Sequence, residues 1–409
     1  MPLSFPLRVA ITGLGGFAAS HHRALLALEN AGICRVVGAC DPFPNSFLKE
    51  RNEWRFKERG VRVFGDWQAM LNLLAGEVDV LTVPAPLPLH APIHKAAVER
   101  GIACYLEKPP TLFWRELDEM LEVEKAARFA TNVGFNFIVE TARQNLKQRV
   151  LAGEFGKLLR VSFLGHWPRP KSYFTRAPWA GKLGLNDRLV LDSCIGNAMA
   201  HYIHNLLFWA GTRELFDWAS VAEIEAALYR AHDIENYDTV LTRGVFENGV
   251  QFRIAATHAS KPPQYHREEV ICEKALITYV AGSEWKIEWR DGRDESIEKG
   301  EADRSDLLAR NFTAYFDYLC GVASRPPTTL QESKAFVHLT NLVYVAAGEI
   351  ETVDEEFTVR EDEWIAIGGV EKMMEEFVSR PFGYKNTLKP AKAADVVKLE
   401  DILKSIGSS

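Results

Sequence analysis

Three groups of residues in this 409-residue chain have the types and spacing to do chemistry. The first is Glu107-Lys108-Pro109-Pro110 in "CYLEKPPT" (104–111), where a lysine follows an apolar run and precedes two prolines. Pro109 fixes its own φ and pushes Lys108 towards an extended conformation, so backbone geometry aims the side chain. An amine that is partly desolvated beside another cation has a lowered pKa and accepts a proton near neutrality. The second group is Asn197, His201 and His204 in "GNAMAHYIHNLLFWAG" (196–211), at i, i+4 and i+7 on one stripe of a predicted helix. Met199, Ile203, Leu206, Leu207 and Ala210 form its apolar side. The third is Arg169, Lys171, Arg176 and Lys182, interleaved with Tyr173, Phe174 and Trp179 in "HWPRPKSYFTRAPWAGKLGLNDR" (166–188), with no acid until Asp187. Cations beside aromatic faces suit a carbohydrate that carries a carboxylate or phosphate. The same residues also make a surface loop of snorkelling cations.

The elements that must position these groups follow from periodicity. "LRVAITGLGGFAASHHRALLALE" reads as a strand, a glycine turn and a helix, with Gly13, Gly15 and Ala18 at the small positions of a dinucleotide-binding turn. The first permits the bend, the second lets backbone approach a pyrophosphate, and the third lets the helix sit close to the strand. Strand "CRVVGACDP" then ends in Asp41, placed to bind the adenosine ribose hydroxyls; its charge repels a 2′-phosphate, which favours NAD over NADP. Further strands "GVRVFGD", "VDVLTVPAP" and "IACYLEKP" alternate with helices "WQAMLNLLA" and "LHAPIHKAAVERG". Such alternation predicts a doubly wound parallel sheet, an α/β Rossmann domain, with ligands at the carboxyl ends of its strands. Pro84 and Lys108 both lie at such ends.

After residue 131 the pattern changes. "EIEAALYRAH", "YDTVLTRGVFENGVQFRIAATHA", "REEVICEKALITYV" and "EWKIEWRDG" are consecutive strands with a hairpin turn at 247–249, which predicts an α+β domain with a large, mainly antiparallel open sheet. The expected division is 1–131, 132–350 and a C-terminal extension 351–409, with helical periodicity in "VEKMMEEFVS" and "AADVVKLEDILKSI" and a loop in "RPFGYKNTLKP". The extension is expected to pack on the second domain or a neighbouring subunit.

Composition narrows the function classes. A net charge of −7 gives no general attraction to nucleic acid or anionic membrane. No run approaches the ~20 apolar residues of a membrane span. The N-terminus lacks a basic region before an apolar stretch, and six scattered cysteines show no CxxC pair, so a reducing cytoplasm is expected. His201 with His204, and His90 with His94, each reach one ion on a helix, but no Cys or carboxylate set completes a site, and no metal is expected.

Together, the glycine turn followed by His21, Asp41-Pro42, "GDWQAML", the helix "LHAPIHKAAVERG" and Glu107-Lys108-Pro109 resemble the Gfo/Idh/MocA oxidoreductase family, over about residues 7 to 350. The resemblance implies an NAD-dependent dehydrogenase acting on a CH–OH group of a sugar, cyclitol or derivative, and assembly as a homodimer or homotetramer. It implies that Lys108 contacts the reacting hydroxyl, that His201 is the catalytic histidine of a D-x-x-x-H motif, and that NAD lies against Gly13, Gly15, Gly16, Phe17, Ala18, Asp41, Pro84, His90, Glu107 and Lys108. Arg169, Tyr173, Arg176, Trp179 and His204 are expected at the substrate. The chain departs from the motif at Asn197, which stands for the aspartate, and at His204, which replaces a frequent second acid. Without charge at 197, His201 is expected to be the weaker base and Lys108 to carry the larger share of proton transfer. Relatives that return the hydride during epimerisation or glycoside cleavage, and a non-catalytic dinucleotide-binding regulator, are the alternative readings.

Overall fold

The computed structural model describes residues 2–186, 188–298, 306–380, 389–392 and 399. The chain divides into two compact units, Met1–Thr111 with Arg115–Thr141 and Glu301–Ser333, and Leu112–Trp114 with Ala142–Gly300 and Lys334–Ser409.

The first unit holds a six-stranded sheet of β1 (Leu7–Thr12), β2 (Cys34–Cys40), β3 (Arg62–Phe64), β4 (Val80–Val83), β5 (Ala103–Leu106) and β6 (Asn132–Val133). Their order is β3-β2-β1-β4-β5-β6 with every pair parallel. The order reverses between β1 and β4, the switch point that opens a crevice at the carboxyl ends of the strands. β4 and β5 are buried throughout, as parallel strands covered on both faces must be. Leu7, Val9 and Ile11 pack with Leu25 and Leu28 of the helix Ala18–Asn30 and with Leu308, Phe312, Phe316 and Leu319 of the helix Leu307–Leu319.

That last helix is a difference from the expected division, which gave 132–350 to the second domain. Tyr315 Oη donates to Ala130 O at 3.1 Å and Leu3 N donates to Leu319 O at 2.8 Å, so the segment is tied into the first unit. An amphipathic pattern specifies an apolar face but not which core receives it.

The second unit holds a ten-stranded sheet. Its strands are β7 (Leu158–His166), β8 (Val221–Arg230), β9 (Thr239–Phe246), β10 (Gln251–Thr257), β11 (Tyr265–Cys272), β12 (Ala275–Val280), β13 (Trp285–Trp289), β14 (Asp294–Ile297), β15 (Glu351–Thr352) and β16 (Lys389–Lys392). The order is β14-β13-β12-β11-β7-β10-β9-β8-β15, with β16 also on β8. Neighbours are antiparallel except β7 with β10 and β8 with β15. The parallel joint at β7 has a simple cause. β10 and β11 run in opposite directions, and β7 lies between them, so it must be parallel to one.

Adjacent residues of β7 face opposite sides. Phe163 stacks on Tyr202 of the helix Ala200–Ala210, with ring centroids 5.3 Å apart. Leu164, with Leu241 and Ala255, packs against Val370, Met374, Phe377 and Val378 of the helix Val370–Ser379. The extension thus covers part of the outer face, preceded by a hairpin of Thr358–Glu361 and Trp364–Ile367 that periodicity did not reveal. Apart from Leu399, the expected helix in "AADVVKLEDILKSI" lies outside the described residues, as do residues 381–388 of the expected loop, whose last two residues, Lys389 and Pro390, instead begin β16.

Candidate active site

In the first unit the glycine turn has the backbone that its sequence requires. Gly13 has φ +113°, and a Cβ there would come within 3.1 Å of Ala18 Cβ and 3.6 Å of Pro84 O, so the turn, the helix and the end of β4 close on one another. Gly16 has φ +56°, and a Cβ would meet nothing within 4 Å. No side chain caps the helix that starts at Ala18. An open glycine turn feeding an uncapped helix N-terminus fits the pyrophosphate of a dinucleotide. At Gly15 a Cβ would stand 2.7 Å from the Phe47 ring, and Phe17 is 49 % exposed beside the turn.

Asp41 is held rather than loose. Its Oδ2 accepts from Leu14 N at 3.1 Å and its Oδ1 from Phe43 N at 2.9 Å, which joins the end of β2 to the glycine turn. His22 supports the turn from beneath. It stacks on Trp54 with centroids 4.3 Å apart, its Nε2 lies 3.1 Å from Gly13 O, and burial pushes its pKa down to about 3, so the neutral ring donates to that carbonyl.

The strand end bearing Lys108 is fixed on two sides. Glu107 is buried; its Oε1 lies 2.9 Å from His21 Nε2, and its Oε2 accepts the Lys108 N–H at 3.1 Å. His90 is also buried, with Nδ1 3.1 Å from both Pro109 O and Pro110 O and Nε2 3.0 Å from Ala85 O. His90, expected beside the cofactor, therefore clamps the turn after Lys108 to the loop after β4. Burial lowers its pKa. Lys108 itself is half-buried. His94 is tied to Glu124 at 2.8 Å and to Thr131 at 3.2 Å. Among the described residues no three of His, Cys, Asp and Glu cluster as a metal site.

In the second unit the histidine helix begins differently from its periodicity. Cys194–Ala198 is a π-helical turn and the α-helix runs from Ala200 to Ala210, so Asn197 lies on the wider turn that precedes the α-helix. Asn197 and His201 are half-buried. His204, expected at the substrate, is 0 % exposed and packs on Trp218 with centroids 5.0 Å apart. Burial first, and the nearby Arg143 charge second, hold its pKa well below the ordinary range. It is a neutral histidine within the core, because it lies on the side of the helix turned to Trp218.

Sequence reasoning missed Asp192. Its Oδ1 accepts from Asn197 Nδ2 at 2.8 Å, its Oδ2 accepts from Gly181 N at 2.8 Å, and Arg176 Nη2 lies 3.8 Å from Oδ2. The signal was present in "LDSCIGN", because Ser193 is the helix N-cap, accepting from Gly196 N at 3.1 Å. An acid beside an N-cap lies within one turn of Asn197.

The cationic loop is held in place. His258 Nδ1 lies 2.8 Å from Trp167 O, and His232, paired with Asp238 at 2.8 Å, places Nε2 3.2 Å from Arg169 O. The Arg169 guanidinium stands 4.6 Å from the Tyr173 ring, and that of Arg176 stands 3.6 Å from Tyr173 and 4.8 Å from Trp179. Lys182 pairs with Glu235 at 2.6 Å and Lys171 Nζ donates to Asp362 O at 2.7 Å. The two arginines and two aromatic rings thus form one stacked group, and the two lysines are tied to other segments. Asp187, which ends the acid-free stretch, lies outside the described residues.

Residues 7–135 match the family described as "Oxidoreductase family, NAD-binding Rossmann fold" (GFO_IDH_MocA). The chain is 30 % identical over 155 residues to a D-glucoside 3-dehydrogenase of Escherichia coli (strain K12), covering 38 % of this chain and 42 % of that protein. It is 28 % identical over 151 residues to a scyllo-inositol 2-dehydrogenase (NAD(+)) of Bacillus subtilis (strain 168), covering 37 % of this chain and 42 % of that one. The chain therefore spans less than half the length of these curated relatives. Over nearly the whole fold it is similar to the WlbA dehydrogenase from Bordetella pertussis, solved with NADH and UDP-GlcNAcA, with a TM-score of 0.69, 20 % identity, and coverage of 84 % of this chain and 95 % of that chain. At that identity the likeness is one of fold.

Proposed function

Starting from a Rossmann unit whose residues 7–135 match the Gfo/Idh/MocA oxidoreductase family, we propose that this chain is an NAD-dependent dehydrogenase acting on a hydroxyl of a sugar, cyclitol or sugar derivative. The observation that carries the reading is the clamping of Lys108 by Glu107–His21 on one side and His90 on the other, at a strand end of the crevice. Bound NAD supplies the hydride acceptor. Gly13, Gly15, Gly16, Phe17 and Ala18 hold its pyrophosphate, and Asp41 reads the ribose hydroxyls. Lys108 accepts the substrate hydroxyl proton. Positioned proton transfer of this kind contributes roughly 10²–10⁴ in rate.

Arg169 and Arg176, stacked on Tyr173 and Trp179, favour a substrate that bears a carboxylate or phosphate. The six cysteines are all free thiols, which suits a reducing cytoplasm. The working assembly is a homodimer or homotetramer, to be read by sedimentation. A panel of sugars, sugar acids, nucleotide sugars and inositols, followed at 340 nm with NAD and NADP, tests the reading. Net NADH formation with one class supports it. Dinucleotide binding with no turnover across the panel would return the chain to a binding role.

A further inference from the structure

Asp192 is 5 % exposed, and three donors face its carboxylate: Gly181 N, Asn197 Nδ2 and, farther off, the Arg176 guanidinium. Its segment is also fixed through the backbone, because Asn236 Nδ2 donates to Asp192 O at 3.0 Å and Tyr344 Oη is 2.9 Å from the same amide nitrogen. A carboxylate only accepts, whereas an amide has one donating and one accepting end. Asp192 therefore decides which end of Asn197 faces it. The Nδ2 end turns inward, and Oδ1 is directed away from Asp192.

We propose that Asp192 is a positioning residue that sets the Asn197 amide so that position 197 presents an acceptor, the polarity of an aspartate without its charge. This rests on the reading of the histidine helix as part of a dehydrogenase site. Asp192→Asn would keep an oxygen on the Gly181 N–H and turn its new NH₂ towards residue 197. Asn197 would then turn its oxygen inward, and its other end would become a donor. Adding Asn197→Asp restores an acceptor-only group at 197 opposite an amide at 192. Asn197→Asp alone sets two carboxylates across a contact that is now 2.8 Å, and such a pair retains a proton.

Kinetics and thermal melts of the wild type, the two single variants and the double variant test this. Asp192→Asn lowers kcat about tenfold or more with KM for NAD nearly unchanged and alters the pH–rate profile, and the double variant recovers to within about threefold of wild type. The melts need no substrate. In Asn197→Asp the folded pKa of the pair lies above the unfolded value, so its stability relative to wild type declines as pH rises from about 4 to 8, and the double variant shows no such decline. If the melts follow this pattern but no sugar or cyclitol is turned over, the catalytic reading fails and the positioning role falls with it, while the pairing stands. A double variant that is unfolded or no more active than Asp192→Asn, or an Asn197→Asp variant with no pH-dependent loss, overturns the proposal.

Discussion

His21 Nε2 lies 2.9 Å from Glu107 Oε1, and the other oxygen of Glu107 accepts the backbone N–H of Lys108. One buried carboxylate thus ties the helix after the glycine turn to the strand end that carries the lysine. Phe17, Tyr105 and Phe312 meet the His21 ring edge-on, with centroids between 5.1 and 5.8 Å, so the pair is enclosed by aromatic surface. The element that would receive the cofactor phosphates and the residue that would move the proton are positioned by the same contact.

Lys108→Ala is expected to lower kcat/KM by about 10² or more, and His201→Ala by clearly less. The comparison is made with saturating NAD on whichever substrate the panel identifies. A larger loss from His201→Ala, with Lys108→Ala acting mainly on KM, reverses the two roles.

Gly134 has no space for a side chain, since a Cβ would stand 2.9 Å from Glu107 Oε1 and 3.2 Å from the Tyr105 ring. Gly134→Ala should push Glu107 off His21, cost about 1–3 kcal/mol of stability by overpacking, and lower kcat. Denaturant titration and kinetics check it; wild-type values in both would show that Glu107 has room to spare.

Asp41 should make NAD bind at least tenfold more tightly than NADP, about 1.4 kcal/mol. Asp41→Ser should shrink that preference and also loosen Leu14, whose N–H the carboxylate holds at 3.1 Å. Calorimetric titration of both dinucleotides decides the matter, and equal affinities in the wild type reject the role of Asp41.

Arg169→Gln and Arg176→Gln should each raise KM for an anionic substrate much more than they lower kcat. Arg176 also faces Asp192 at 3.8 Å, so its variant should show the larger kcat component of the two. Unchanged kinetics in both would make the stacked loop a structural feature only.

Burial holds the folded pKa of His22 at about 3, below its ordinary 6.5. The unfolded chain therefore takes up the proton first as pH falls. The stability is fully present above about pH 6.5 and is lost as pH falls from there towards about 3. His258, pushed to about 3 by burial, acts in the same window. Melting temperatures should fall from pH 7 to pH 5, and His22→Gln should flatten that slope. An identical slope in the variant assigns the acid sensitivity elsewhere.

The glycine turn, Asp41, the five leading strands and the turn at Lys108 were legible in the sequence because each is local: a few consecutive residues set the backbone, and their types state the reason. The large sheet was legible as consecutive strands for the same reason. What only the tertiary structure decided is which distant groups meet. An apolar stripe does not name its partner, so the helix Leu307–Leu319 could not be assigned to the first core from its pattern. The i, i+4, i+7 stripe put His204 with Asn197 and His201, yet a π-helical turn intervenes and His204 is enclosed beside Trp218. The chain lacks an aspartate at 197 but sets Asp192 against Asn197, where hydrogen-bond direction, which no one-dimensional spacing encodes, fixes how that amide is presented.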